Sequence, residues 1–335
     1  MGTKGITVAG SLIVDVYYMT DTYPGIGRLT NIRDIKKGVG GSGNLIQDLA
    51  KLDPNLQVKV SALLGNDANG KFAKQALGRF PNIDMSNVIQ SEATSMTMVI
   101  EPLDSKQRTF FYLPAASDIY EESCIDWQAV DADIFQLEYL LLMKKADAAD
   151  EKYGTHAARI LCEAQKRGMR TSIDVVSEDS ERARGIVSAA LKYTDFCIIN
   201  ELEAESTTGV RLTGENVDME ENIPEALRIL KDLGVSKWAV VHSSGCSYGL
   251  DCETGQTVKV ESLHLPKGYI KGTTGAGDAY CCGVLYGAYQ GQSLQKAMEL
   301  GTACAACSLS AVGGSDGMRS YREVLDLYKH YKGGQ

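Results

Sequence analysis

The chain has no long apolar run: nowhere in its 335 residues is there the stretch of ~18 needed to cross a bilayer. No basic segment with an apolar stretch behind it comes before Ile6-Thr7-Val8-Ala9-Gly10, so no signal peptide is read and a soluble, cytoplasmic protein is expected. Positive charge is in deficit, with 34 Lys and Arg against 43 Asp and Glu and a formal net charge of −9. Nucleic acid and anionic membrane surfaces demand a basic face, so neither is expected as a partner, although a local field still admits an anionic substrate. Histidine is scarce, at four, and the nine cysteines include no Cys-x-x-Cys pair. Cys304 and Cys307 are three apart on an expected helix with no second pair to answer them. Buried free thiols in a reducing compartment are therefore expected, ahead of metal ligation or disulfides. A Gly-x-x-x-x-Gly-Lys-Ser/Thr loop is absent, which excludes the P-loop, and no Gly-x-Gly follows the first strand in dinucleotide-binding form. Internal repeats and low-complexity linkers are missing as well, so residues 1–335 read as a single domain.

What is present is 44% hydrophobic residues, enough for a sizeable core. β-rich apolar runs at Val58–Leu64, Ile134–Leu137, Thr171–Val175, Phe196–Ile199 and Trp238–Val241 alternate with helical patterns. That alternation predicts an α/β fold with a mainly parallel sheet covered on both faces. Helices are expected at Asn44–Leu52, where Leu45, Leu49 and Leu52 share a face, and at Ala68–Leu77, Tyr153–Lys166, Glu220–Leu233, Leu294–Ser310 and Tyr321–Tyr331. Residues 11–39 and 94–114 break the pattern. The second of these reads as a hairpin, Met96–Ile100 and Arg108–Tyr112 joined by Asp104-Ser105-Lys106.

Residues 272–278 read Gly-Thr-Thr-Gly-Ala-Gly-Asp and run into a small, apolar, helix-forming segment, Ala279–Ala288. The nearly bare backbone of Gly275, Ala276 and Gly277 can close around an anion at the helix mouth, where the dipole favours negative charge. Asp278, one residue on, would repel a phosphate; its presence is informative if it takes a proton from an attacking hydroxyl. The plain alternative is a glycine-rich turn followed by an ordinary acid.

The heptapeptide resembles the second signature, Asp-Thr-x-Gly-Ala-Gly-Asp, of the ribokinase-like (phosphofructokinase-B) sugar kinases. Three other stretches fall in that family's order: Gly10–Asp15, Gly40-Gly41-Ser42-Gly43-Asn44, and Asn200-Glu201-Leu202-Glu203, which matches Asn-x-x-Glu. The resemblance implies a three-layer αβα core with a mainly parallel sheet, and a small β-sheet lid formed by the two irregular segments. It also implies ATP-dependent phosphorylation of a hydroxymethyl group of a small sugar. Asp278 would be the general base, and Gly275, Ala276 and Gly277 the anion hole.

Asp15, Gly40, Gly41, Asn44 and Glu138 are the expected sugar-binding residues, with Ile13 standing where the family often has asparagine. Glu138 can also be read as a solvated rim residue. Asn200 and Glu203, after the strand Phe196–Ile199, are the expected Mg2+ pair, since Mg2+ keeps several waters and needs few protein ligands; Asn200 is equally suited to cap a helix. The nucleotide is expected near Asp174, Asn200, His242, Ser243, Gly245, Thr273, Gly313 and Gly314, with Asp174 alternatively a loop cap. A nucleoside kinase of the same fold, with a base under Phe110 or Tyr112, is the runner-up, and a catalytically silent sugar-binding relative is the reading from another class. The lid's open face offers a homodimer contact.

A monovalent cation is the open cofactor question. The resemblance implies that the signature's first aspartate helps to hold K+, and here Gly272 replaces it. A weakly hydrated cation gains from formal negative charge, so the site is weakened by the loss. K+ is expected to stimulate the enzyme less than about tenfold, equivalent to under ~1.4 kcal/mol of barrier. Initial rates in potassium chloride and choline chloride at matched ionic strength check this; a much larger dependence would show that backbone oxygens suffice.

Overall fold

A computed structural model describes residues 4–105, 107–178 and 180–333. The chain starts with β1 (Ile6–Gly10), β2 (Leu12–Thr20) and β3 (Ile32–Gly41), then α1 (Ser42–Leu52), β4 (Val58–Gly65), α2 (Ala68–Leu77) and β5 (Ile83–Ser91). Strands β6 (Ser95–Pro102), β7 (Thr109–Leu113) and β8 (Ile134–Leu140) follow, with the two-residue strands β9 (Ala149–Asp150) and β10 (Gly154–Thr155) before α3 (His156–Lys166). Next are β11 (Arg170–Val175), α4 (Glu181–Leu191), β12 (Phe196–Asn200), α5 (Glu201–Thr208) and α6 (Met219–Leu233). The last part holds β13 (Trp238–His242), β14 (Cys246–Asp251), β15 (Thr257–Glu261), α7 (Ala276–Tyr289), α8 (Leu294–Ser308) and α9 (Tyr321–Tyr331).

Nine strands form one sheet in the order β15-β14-β13-β12-β11-β8-β1-β4-β5. Neighbours are parallel from β5 across to β13, and β14 and β15 add an antiparallel edge. Central strands are apolar on both faces because helices cover both. In β12, Phe196 and Ile198 enter one core with α1, α7 and α8, while Cys197 and Ile199 enter the other with α3, α4 and α6. Trp238 and Val240 against Ala239 and Val241 divide β13 the same way.

The two irregular segments supply a second, four-stranded sheet, β3-β2-β6-β7. Its β6–β7 pair is the expected hairpin, with Met96 opposite Leu113 and Ile100 opposite Thr109; Lys106 of the expected turn lies outside the described residues. The helix expected from Tyr153 begins instead at His156, because Thr155 caps it by accepting from the Ala158 N–H at 3.1 Å. Helix α8 stops at Ser308, two residues short of its expected end. Among the described residues no helix is long and apolar enough to cross a membrane.

Candidate active site

The sheet gathers the chemistry at its carboxyl edge. Gly10 lies level with Glu138 and Asn200 with His242, and Asp174 follows Ile173, which is level with Leu137. Open parallel sheets bind ligands in that crevice. Helix α7 points its start at the same place. Its N-cap is Gly275, held at φ 77°, and a Cβ there would stand 2.0 Å from the Gly314 carbonyl oxygen. Only glycine fits a left-handed cap pressed against another backbone. The Ala276 N–H turns back to the Thr273 carbonyl at 3.3 Å, whereas the Gly275 and Gly277 N–H groups have no acceptor among the described residues.

Asp278 sits in the first turn of α7, half-buried. Asn44 Nδ2, from α1, donates to its Oδ2 at 2.9 Å, and the Tyr139 hydroxyl, from β8, donates to its Oδ1. Burial raises the Asp278 pKa above the usual aspartate value, and the Tyr139 and Asn44 hydrogen bonds hold that rise back. Asp15 is lifted to about 6, first by burial, with a further contribution from the Asp278 charge. Its carboxylate lies over Gly40, where an added Cβ would meet Oδ2 at 2.1 Å. Gly41 forms the bend into α1. Asn44 thus touches Asp278, Asp15 lies within reach of its charge, Gly40 packs on Asp15, and Gly41 packs on Ser11 and Ile13.

Glu138 is not a solvated rim residue: it is 0% exposed, with Oε1 accepting from Gln136 Nε2 at 3.0 Å. It groups with Asp174 and Cys281, their ligand atoms within 4.8 Å of one another, beneath the helix mouth. Burial drives both carboxyls well above the ordinary range; the Asp278 charge adds to the rise at Glu138, and the Glu138 charge adds to that at Asp174. Asn200 and Glu203 make a capping box on α5. Glu203 Oε1 accepts from Asn200 Nδ2 at 2.6 Å and from the Ser177 hydroxyl at 2.8 Å, and burial takes its pKa to about 7 against those bonds.

Beside the helix mouth opens a cavity of about 710 Å³, whose lining includes Asn200, His242, Ser243, Thr273, Gly277 and Ile270. The His242 ring lies 4.8 Å from that of Tyr280, and its removal from water lowers its pKa to about 4, so it is neutral. Gly245, Gly313, Gly314 and Asp174 do not line this cavity. Gly314 packs behind Gly275 and against Asn44 instead.

This arrangement agrees with a family model, that of the pfkB family carbohydrate kinases, which matches residues 3–320. The chain belongs to the pfkB family of carbohydrate kinases. As a member it is an ATP-dependent carbohydrate kinase. It is 23% identical over 332 residues to a ribokinase of Haemophilus influenzae, across 98% of this chain and 99% of that one. The fold resembles that of an Arabidopsis thaliana ribokinase solved with ribose and ATP, at a TM-score of 0.79 and 21% identity, covering 98% and 99% of the two chains. It also resembles a Methanocaldococcus jannaschii nucleoside kinase of the ribokinase family, at 0.71 and 18%, over 98% and 99%.

Three of this carbohydrate kinase's site residues escape a sequence reading. Tyr139 follows Glu138 directly, and a polar-tipped aromatic closing a strand is its only local signal. Ser177 touches Glu203 from a loop 26 residues away. Arg108 leaves the lid to reach Thr274 of the turn before α7. Of these, Tyr139 has the most direct consequence. Tyr139→Phe deletes a donor that favours ionised Asp278, so the Asp278 pKa rises further. A base acts in its ionised form, so with Asp278 in that role activity would be lost as pH falls through its pKa, and the variant's acidic limb of kcat/KM should move to higher pH. Its plateau kcat should stay within about tenfold of wild type. A pH–rate profile checks this, and an unmoved limb would separate Tyr139 from the titration.

Proposed function

We propose that this kinase transfers the γ-phosphoryl group of ATP to a hydroxymethyl group of a small sugar, with Asp278 taking the hydroxyl proton. The carrying observation is a carboxylate fixed by two donors, Asn44 and Tyr139, in the same helical turn as the unpartnered Gly275 and Gly277 N–H groups. The phosphoryl oxygens go to those N–H groups and the Ala276 turn, where the helix dipole offsets their charge. The acceptor lies between Asp278 and Asp15, whose carboxylate and whose neighbour Asn44 can each take part in gripping hydroxyls. Burial raises the Asp278 pKa, and the Asp278 charge in turn adds to the rise at Asp15; a raised carboxyl is the direction a general base requires. The nucleotide occupies the large cavity, with neutral His242 and the apolar Ile270 offering surface for its base.

Mg2+ fits the Asn200–Glu203 end. The oxygens there are hard, and those of Glu203 already accept from Ser177, Asn200 and the Asn200 N–H, so hold through the ion's waters suits them better than direct ligation. Bound there, the ion would neutralise phosphate charge. Asn200 caps α5 and lines this end of the cavity, and the metal role read for it belongs to this proposal.

We retain one kinase unit in which the four-stranded sheet is a lid. Ile32, Ile35, Phe110, Phe111 and Leu113 are exposed on that sheet, which supports a homodimer through it. The acceptor reading is tested by coupled ADP release over a panel of monosaccharides and nucleosides. Monosaccharide turnover is expected. Turnover of nucleosides alone would replace it with the nucleoside reading, and no turnover would favour a silent relative. Asp15→Ala should raise the sugar KM about tenfold or more and leave the ATP KM within about twofold. A fall in ATP affinity instead would mean the two ends of the site are reversed.

A further inference from the structure

We propose that Arg108 is a phosphoryl clamp carried by the small sheet: its guanidinium binds oxygens of the transferring γ-phosphoryl group beside the turn before α7. The proposal rests on the phosphotransfer reading above.

Arg108 immediately precedes β7. Its Nε donates to Glu101 Oε2 at 3.0 Å, and the two side chains are only 16% and 14% exposed. Its guanidinium carbon lies 5.9 Å from the centre of the Tyr17 ring. Both contacts fall within the small sheet, and a cross-strand ion pair would account for them. They do not account for the third contact. Nη1 donates to the Thr274 hydroxyl, 166 residues away in the core and next to Gly275. A single side chain therefore links the sheet over the acceptor to the turn whose backbone faces the cavity. Nη2 has no acceptor among the described residues. A mostly desolvated guanidinium retains a strong demand for anionic oxygen, and its planar fork suits two phosphoryl oxygens at once.

The charge distribution selects the donor's phosphoryl group over an acid group on the sugar. An anionic acceptor would have to sit beside the Asp15 and Asp278 carboxylates, which repel it. The turn at Thr274–Gly277 instead offers N–H groups and the positive end of a helix. In the transfer, the acceptor oxygen bonds to the γ-phosphorus, the bond from phosphorus to the bridging oxygen breaks with its electron pair going to ADP, and the hydroxyl proton goes to Asp278. Negative charge on the oxygens in flight is what a clamping arginine meets.

Arg108→Ala should lower kcat about 100- to 1000-fold, below the full effect of an arginine at a transferring phosphoryl group, with both KM values within about threefold. Its affinity for ADP with aluminium fluoride and sugar should fall by a similar factor while affinity for ADP alone holds. Added guanidinium ion should restore part of the rate, and Arg108→Lys should fall between. If the alanine variant does not fold, as judged by circular dichroism, the aluminium fluoride affinity of the lysine variant decides. A kcat within threefold of wild type, or a loss confined to the KM of acidic sugars, overturns the proposal. A wild-type enzyme that phosphorylates no sugar sinks the underlying reading instead, so the two failures are distinguishable.

Discussion

Everything at this site depends on the mouth of α7, where a left-handed Gly275 turns the chain and an acid follows three residues later. The helix cannot drift. A Cβ on Gly283 of α7 would meet the backbone of Gly301 in α8 at 2.6 Å, so the two helices pack backbone to backbone. Gly314 closes on Gly275 from the other side. Exposed N–H groups and the Asp278 carboxylate are thereby fixed above the carboxyl edge of the sheet, and positional precision of that kind is what phosphoryl transfer asks of a protein.

The second constraint is electrostatic. Asp278, Asp15, Glu138, Asp174 and Glu203 converge on one desolvated region, and all five pKa values are raised, burial being the largest cause for each. Such crowding costs stability at neutral pH, since ionised acids are disfavoured where water is excluded. A protein gains from it when the region works on protons and binds cations. Asn44 and Tyr139 favour the ionised form of Asp278, as Gln136 does for Glu138 and Ser177 and Asn200 do for Glu203; what sets Asp278 apart among the five is its place in the first turn of α7.

The sequence reveals β4, β8, β11, β12 and β13 because each is a short apolar run bounded by polar residues, and the helix mouth because glycine, alanine, glycine and aspartate occur there together. Edge strand β5 escapes it, since Asp84, Ser86, Asn87 and Gln90 interrupt any apolar run. Helix α4 escapes it through its plain alanine-rich pattern, and β14 and β15 because a hairpin added antiparallel breaks the α/β rhythm. At the site, residue types and order place Asp278, Asp15 and Glu203. They do not place Tyr139 on Asp278, 139 residues away, or Arg108 on Thr274, since only the folded sheet and lid bring those atoms together. Glu138 illustrates the opposite difficulty: its place after an apolar strand permits a rim position, and the packing of α7 over β8 buries it.

The central claim, that the acid at the helix mouth moves the proton, is tested most directly by Asp278→Asn. The substitution keeps the shape and one acceptor oxygen while replacing the basic carboxylate with a neutral amide. Steady-state kinetics with equilibrium binding of sugar and ATP should show kcat reduced by about two to four orders of magnitude and both affinities nearly unchanged. Near-normal turnover in the folded variant would contradict the account.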